Sequence, residues 1–382
     1  MEHAVMERRK KEEGKMKKPK HMKTISIKFL PAAAVLLSIF NPQLSTAFAQ
    51  GSLAPPGAPA PTMKSLDQIE PRTPISSAPF TISVSGSYYL TTNVTVSSGN
   101  AITVSANNVT LDLSGFTISS TENPAAGGSG ILLNAVMNTT IVNGFISSGV
   151  TNNGSGIYSG SGFGYGIYSS SAFSVNARVS GVSVSGCRIG GINLDNNNSL
   201  VESCTVNTVG SYGILAQSVS DSTALDCGSV CVHASAANNC VGYAFYSSGW
   251  GVVAITANNC YGVGAGSGFG VYATTANNCY GTSSSGKGLY AINANNGYGV
   301  SSTGTGLNAF RTATGCHGES TSGIGLDVYT GVATTCFGHN STTGSSVPAL
   351  KVYVANGCYG QNNSGTSEFT GNTGTDQRYN MP

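Results

Sequence analysis

The sequence predicts an all-β chain wound as a single-stranded parallel β-helix. Three observations carry that prediction: an internal repeat of about 18–23 residues, strand- and turn-forming residues throughout it, and columns of like residues that hold register from one repeat to the next. The repeat is plainest near the C-terminus, where GVYATTANNCYGTSSSGK is followed by GLYAINANNGYGVSSTGT and GLNAFRTATGCHGESTSG. Gly251, Gly270, Gly288, Gly306 and Gly325 recur at intervals of 19, 18, 18 and 19 residues. Behind them Val252, Val271, Leu289, Leu307 and Leu326 form an apolar column. A cysteine column holds Cys240, Cys260, Cys279, Cys316, Cys336 and Cys358, with Gly297 in the gap. An aromatic column (Tyr261, Tyr280, Tyr298, His317, Phe337, Tyr359) and a glycine column (Gly262 to Gly360) follow it.

The residue types select strands over helices. The repeats lack a 3.6-residue apolar period and are built of Gly, Thr, Val, Tyr and Asn. A unit this short with two or three strands fits one coil whose neighbours hydrogen-bond at about 4.8 Å, so each column becomes a ladder along the axis. Leucine-rich repeats share the length, but their Leu and Asn spacing is missing. Earlier coils carry the same grammar: Val109, Leu111 and Leu113 alternate with polar residues and are expected to point inward. Residues 120–130 and 149–166 read as insertions between coils. About fourteen coils would make a rod of roughly 65–70 Å.

The remaining segments divide the chain. Residues 1–49 read as a basic region plus an export signal: Lys23 and Lys28, then the apolar run Phe29–Phe40, then Ala47 and Ala49 at the positions that precede a cleavage site, with the cut expected after Ala49. The apolar run would reach about 18 Å as a helix, short of a ~30 Å bilayer core, which argues against a membrane span. Met16 and Met22 are alternative starts. Residues 50–63, rich in Pro, Ala and Gly, read as a linker. Residues 64–100 read as an N-terminal cap with the first strands, 101–360 as the β-helix, and 361–382 as a polar tail or C-terminal cap. The destination implied is secreted or cell-surface.

Composition narrows the function. Charged residues are 9% of the chain, and the net charge of +2 averages two unlike regions. Residues 1–28 hold ten of the eighteen Lys and Arg, whereas beyond Ala49 eight basic residues face twelve acidic ones. The mature body has no basic field for nucleic acid. No nucleophile motif, phosphate loop or zinc spacing is present, no cofactor is implied, and stacked thiols on a line do not converge on a metal. The six aligned cysteines read as a core column, and Cys227 and Cys231 are the pair most open to another role. The Asn pairs 238–239, 258–259, 277–278 and 295–296 read as left-handed corners with stacked amides.

The segment Leu66–Phe116, with LDQIEPRTPI, SGSYYLTTNVTV and NVTLDLSGFTI, resembles the opening of a family of exported right-handed parallel β-helix proteins from environmental bacteria such as verrucomicrobia and planctomycetes. That resemblance implies a right-handed coil and brings no activity with it.

Two functional expectations follow. The first is a structural or binding protein that meets a polysaccharide or a cell-surface partner through outward aromatic ladders: Tyr261, Tyr280, Tyr298 and Tyr359, with a second column at Tyr272 and Tyr290. The alternative is a polysaccharide lyase or glycoside hydrolase built on an acidic patch at Asp195, Glu202, Asp221 and Asp226, with Arg178 and Arg188 upstream. His233, His317 and His339 read as isolated. No catalytic constellation is fixed by a motif, so the reading leans away from an enzyme.

Overall fold

The computed structural model describes residues 71–171, 174–195, 198–342, 347–363, 369–371 and 377–379. The expected signal segment, its cleavage point and the linker lie outside the described residues. Within them the secondary structure is strand, turn and bend with no helix, and parallel strands stack into a β-solenoid of about 14 turns.

Each coil visits three faces in the same order. In an early coil these are Ile102–Val104 on face A, Val109–Asp112 on face B and Thr117–Ser120 on face C. Each face is a continuous parallel ladder. On face A, Ile102 pairs with Ile131, and the column continues through Ile167, Ile192, Ile214 and Val232 to Val252, Val271, Leu289, Leu307, Leu326 and Leu350. Every one of these side chains is fully buried, as alternation along the strand requires. Burying each contributes about 1.5–3 kcal/mol. From Ile214–Ser220 onward the strands of faces A and B run together as one bent strand per coil.

Faces B and C line the core with large aliphatic groups in the early coils, such as Leu111, Ile141 and Ile118, and with smaller ones in the later coils. Face B carries an inward alanine column, Ala237, Ala257, Ala276, Ala294, Ala313, Ala333 and Ala355. Face C carries the expected cysteine column: Tyr261 pairs with Tyr280 and Tyr280 with Tyr298, which sets Cys260 beside Cys279 and Cys279 beside Gly297. All ten cysteines are buried free thiols, Cys227 and Cys231 included. Their sulfurs are tied to the backbone: Cys260 Sγ meets Ala237 O at 3.4 Å, and the Cys316 amide donates to Cys336 Sγ at 3.4 Å. Burial pushes the Cys187 thiol up to about 12, so it stays protonated and unreactive.

The corner from face B to face C is a single left-handed residue in coil after coil. Asn143, Gly181, Ser203, Asp221, Asn239, Asn259, Asn278, Asn296, Gly315, Thr335 and Gly357 all have φ between 49° and 64°. This is why the repeats carry Asn there: its short amide tolerates the αL region and then bonds along the axis. The first Asn of each pair forms an amide ladder, Asn258 to Asn238, Asn277 to Asn258 and Asn295 to Asn277, at 2.8, 2.8 and 2.9 Å. The second forms another, anchored where Asn239 donates to Asp221 at 2.9 Å.

The corner from face C to face A shows a feature absent from the sequence reading. Ser283, Ser301, Ser320 and Asn340 point inward and are buried. Each bonds the return loop of the preceding coil: Ser283 Oγ donates to Gly268 O at 2.6 Å, Ser301 Oγ to Gly286 O at 2.8 Å, and Ser320 Oγ to Gly304 O at 2.7 Å. The two glycine columns flank this corner and let backbone meet backbone.

The ends refine the expected boundaries. Residues 71–96 already wind as coil, with Thr73–Ile75 paired to Tyr88–Leu90 and Ile75, Ile82 and Leu90 in the core. Beyond Gly360, in the segment read as a polar tail or C-terminal cap, Phe369–Gly371 and Gln377–Tyr379 pair in parallel with Leu350–Asn356. The insertion at 149–166 is in part a hairpin, Gly149–Asn152 against Tyr158–Ser161, the antiparallel pair among the described strands.

Candidate functional site

The expected aromatic column on face C is where alternation puts it. Cys points in, and the next residue along points out. Tyr261, Tyr280 and Tyr298 stack at 5.1 and 5.0 Å between ring centroids, with interplanar angles of 12° and 29°. His317 continues the stack 4.5 Å from Tyr298, and Phe337 lies 5.6 Å from Tyr359. Stacking in this sense spends the flat faces of the inner rings on one another and leaves edges and hydroxyls to the solvent. Tyr359 is the most open of the named tyrosines.

The histidines are not isolated as the sequence suggested. Glu319 and His339 sit side by side on neighbouring strands of face C. Tyr298 donates its hydroxyl to Glu319 Oε2 at 2.6 Å, and His339 Nδ1 lies 3.4 Å from Glu319 Oε1. The Tyr298 hydrogen bond, with help from His339, holds the Glu319 carboxyl below its ordinary range. His317 Nε2 is buried without a hydrogen-bond partner, and burial holds this imidazole below its ordinary value. The unfolded chain therefore takes up a proton near pH 6.5 that the folded chain resists, and stability falls as pH drops through that range. His317→Phe, matching Phe337 in the same column, is expected to raise stability by about 1 kcal/mol by removing the orphaned nitrogen. It should also flatten the loss of melting temperature between pH 7 and pH 5. Equal slopes for the two proteins would contradict this account.

Face A presents the more varied surface. Two outward columns run side by side. One is Trp250, Phe269 and Lys287, each just before its glycine. The other is Val253, Tyr272, Tyr290, Asn308, Asp327 and Lys351, in unbroken register. Trp250 stacks on Phe269 at 5.0 Å and lies 5.3 Å from Tyr272, and Tyr272 stacks on Tyr290 at 5.0 Å. Lys287 closes the aromatic cluster, its ammonium 4.5 Å from the Tyr290 centroid and 5.8 Å from that of Phe269. From there the surface becomes polar. Lys287 Nζ donates to Asn308 Oδ1 at 2.7 Å, and Asn308 Nδ2 donates to Asp327 Oδ2 at 3.1 Å. Asp327 is 9% exposed, and its Oδ1 has no protein partner. Burial raises the Asp327 carboxyl above its ordinary range, against the pull of Lys351 and Lys287. Of this strip the sequence reading named Tyr272 and Tyr290. The polar run was missed, although its spacing continues theirs.

The four acidic residues of the expected patch are spread around the coil. Asp195 follows the face-A strand Gly190–Asn193, Glu202 ends the face-B strand Leu200–Glu202, and Asp221 is the left-handed B–C corner. Asp226 lies at the end of face C, where it receives Asn152 Nδ2 at 2.6 Å and the Tyr158 hydroxyl at 2.9 Å. Glu202 and Asp221 share one corner on neighbouring coils, and the other two stand at different corners. Arg188 donates to Ala125 O at 3.0 Å, a bond within the scaffold. Among the described residues no group of three acidic, His or Cys side chains is placed to hold a metal.

Fold and surface together define a parallel β-solenoid repeat protein with two aromatic ladders on different faces. No protein family, no curated protein and no solved structure matches this chain.

Proposed function

We propose that this chain is an exported solenoid that binds polysaccharide along face A. One observation carries the reading: the aromatic strip Trp250–Phe269–Tyr272–Tyr290 passes without a break into Lys287, Asn308, Asp327 and Lys351 on the same face. A sugar chain has C–H surfaces that prefer aromatic neighbours, and vicinal hydroxyls that pair with carboxylate, amide and ammonium groups. Asp327 Oδ1 is closed off from solvent, so Asp327 supports this surface by holding the Asn308 amide in place through its Oδ2. Rings stack on rings in both ladders, and the face-A strip is the better platform because it is two columns wide and an ammonium, Lys287, lies over its rings. Export is supported by the charged, apolar and small-residue order of residues 23–49.

Affinity electrophoresis of the mature protein in gels containing neutral and acidic polysaccharides tests this. Retardation by at least one polymer is expected. Trp250→Ala and Asp327→Asn should each weaken it about tenfold or more, and Tyr261→Ala should leave it within a factor of about two. Migration unchanged in every polymer, or equal loss on truncating face C, overturns the reading.

A further inference from the structure

A second site lies at the corner between faces A and B, in the coils preceding the aromatic strip. A cleft of about 450 Å3 opens there, within the roughly 300–1,000 Å3 range of small-molecule sites. Its shape follows from changing corner lengths. Asn176 and Asn198, both left-handed, stand at corners where the strands of faces A and B are separate. In the next two coils faces A and B merge into Ile214–Ser220 and Val230–Asn238, and the corner draws in. Ile255, exposed on the following coil, forms the far wall.

The lining has one charge and several uncommitted polar groups. Arg178 is exposed on face B between Thr140 and Leu200, its two ladder neighbours, and neither can neutralise it. Among the described residues no acidic side chain lines the cleft. Gln217 is fixed on both sides: the Asn198 amide donates to its Oε1 at 2.6 Å, and its own backbone amide donates to Ser199 Oγ at 2.9 Å. With its Oε1 taken by Asn198, Gln217 keeps its Nε2 as the remaining side-chain donor, and Ser218 and Ser235 line the cleft with it beside the apolar Ile255.

We propose that this cleft binds a singly charged sugar acid, a uronate residue whose carboxylate is taken by Arg178 and whose hydroxyls meet Gln217, Ser218 and Ser235. A guanidinium fork matches a planar carboxylate with two parallel hydrogen bonds. A single cation suits one negative charge better than a doubly charged phosphate. Serine hydroxyls and an amide are the partners that sugar hydroxyls need, and Ile255 supplies a surface for the C–H face. The site shares no lining residue with the face-A strip, so the two stand or fall separately.

Titration calorimetry or ligand-observed NMR on the whole protein, with free galacturonate and glucuronate as probes, tests the assignment. At least one is expected to bind, with galactose and acetate each about tenfold weaker or worse. Arg178→Gln should weaken uronate binding by about tenfold or more, and Arg178→Lys should recover part of it. Binding of galactose or acetate as strong as that of uronate, binding retained in Arg178→Gln, or no binding of either uronate overturns the site. Because Arg178 is exposed on the surface, these variants keep the fold. The polymer experiment on face A reads Trp250 and Asp327 instead, so a failure of either reading is recognised on its own.

Discussion

Gly281→Ala is expected to cost at least about 4 kcal/mol and to leave little folded protein, among the largest losses a single methyl group can cause. A Cβ built at Gly281 would lie 2.1 Å from the carbonyl oxygen of Gly288 and 2.7 Å from its carbon. The same holds along the column: 1.9 Å from Gly270 O at Gly262, 2.2 Å from Gly306 O at Gly299 and 2.2 Å from Gly325 O at Gly318. These are backbone atoms held in two ladders, so nothing can rotate away, and relief requires breaking interstrand hydrogen bonds. Gly297→Ala is the matched contrast. Its new methyl would come nearest the rotatable ends of Leu289 and Leu307, at 3.2 and 3.5 Å, with the Cys279 carbonyl oxygen at an ordinary 3.8 Å, in a gap of the cysteine column. That substitution is expected to raise stability by about 0.5–1 kcal/mol, since alanine loses less backbone entropy on folding. Urea midpoints of the two variants should move in opposite directions. Equal shifts would show that the glycine column is not a backbone contact.

Asp226→Ala is expected to release the hairpin Gly149–Ser161 from the coil it covers, at a local cost of about 3 kcal/mol. The carboxylate receives Asn152 Nδ2 and the Tyr158 hydroxyl together, and hydrogen bonds to a charged group are worth about 1.5–3 kcal/mol each. Tyr158 is anchored besides by Ala125 and Val150, and lies over Gly228, where an added Cβ would come within 3.0 Å of its ring. Burial, then the hydrogen bond to Asp226, holds the Tyr158 hydroxyl well above its ordinary range, so it stays a donor across the physiological range. Hydrogen exchange should show lost protection at residues 149–161 with the face ladders unchanged, and Asp226→Asn, which keeps an acceptor and suits the left-handed corner, should lose less. Hairpin amides as protected as in the parent would remove Asp226 from this role.

The repeat and its inward columns were legible in the sequence because a parallel solenoid maps sequence spacing directly onto space. Val252 to Leu326, Cys240 to Cys358 and the Asn pairs each read as ladders and are ladders. The left-handed Asn corners followed from a local preference, which a sequence expresses without help. The outward direction of Tyr261, Tyr280 and Tyr298 followed from alternation with the buried cysteines. The serine braces at Ser283, Ser301 and Ser320 were hidden because serine in a Gly/Ser-rich turn looks like ordinary loop composition.

Which face meets which could be decided only by the tertiary structure. Asp195, Glu202, Asp221 and Asp226 cluster within a short span of sequence, yet one turn around three faces leaves Glu202 and Asp221 at one corner and sends the other two to different ones. His317, Glu319 and His339 looked scattered, yet register brings Glu319 and His339 together, and His317 stacks on Tyr298. The reason is geometric: residues one coil apart become neighbours, whereas residues a third of a coil apart point away from each other. Sequence spacing alone therefore determined the columns, while the placement of corners and insertions determined which columns share a face, where a cleft opens, and which charged groups stand beside the aromatic rings.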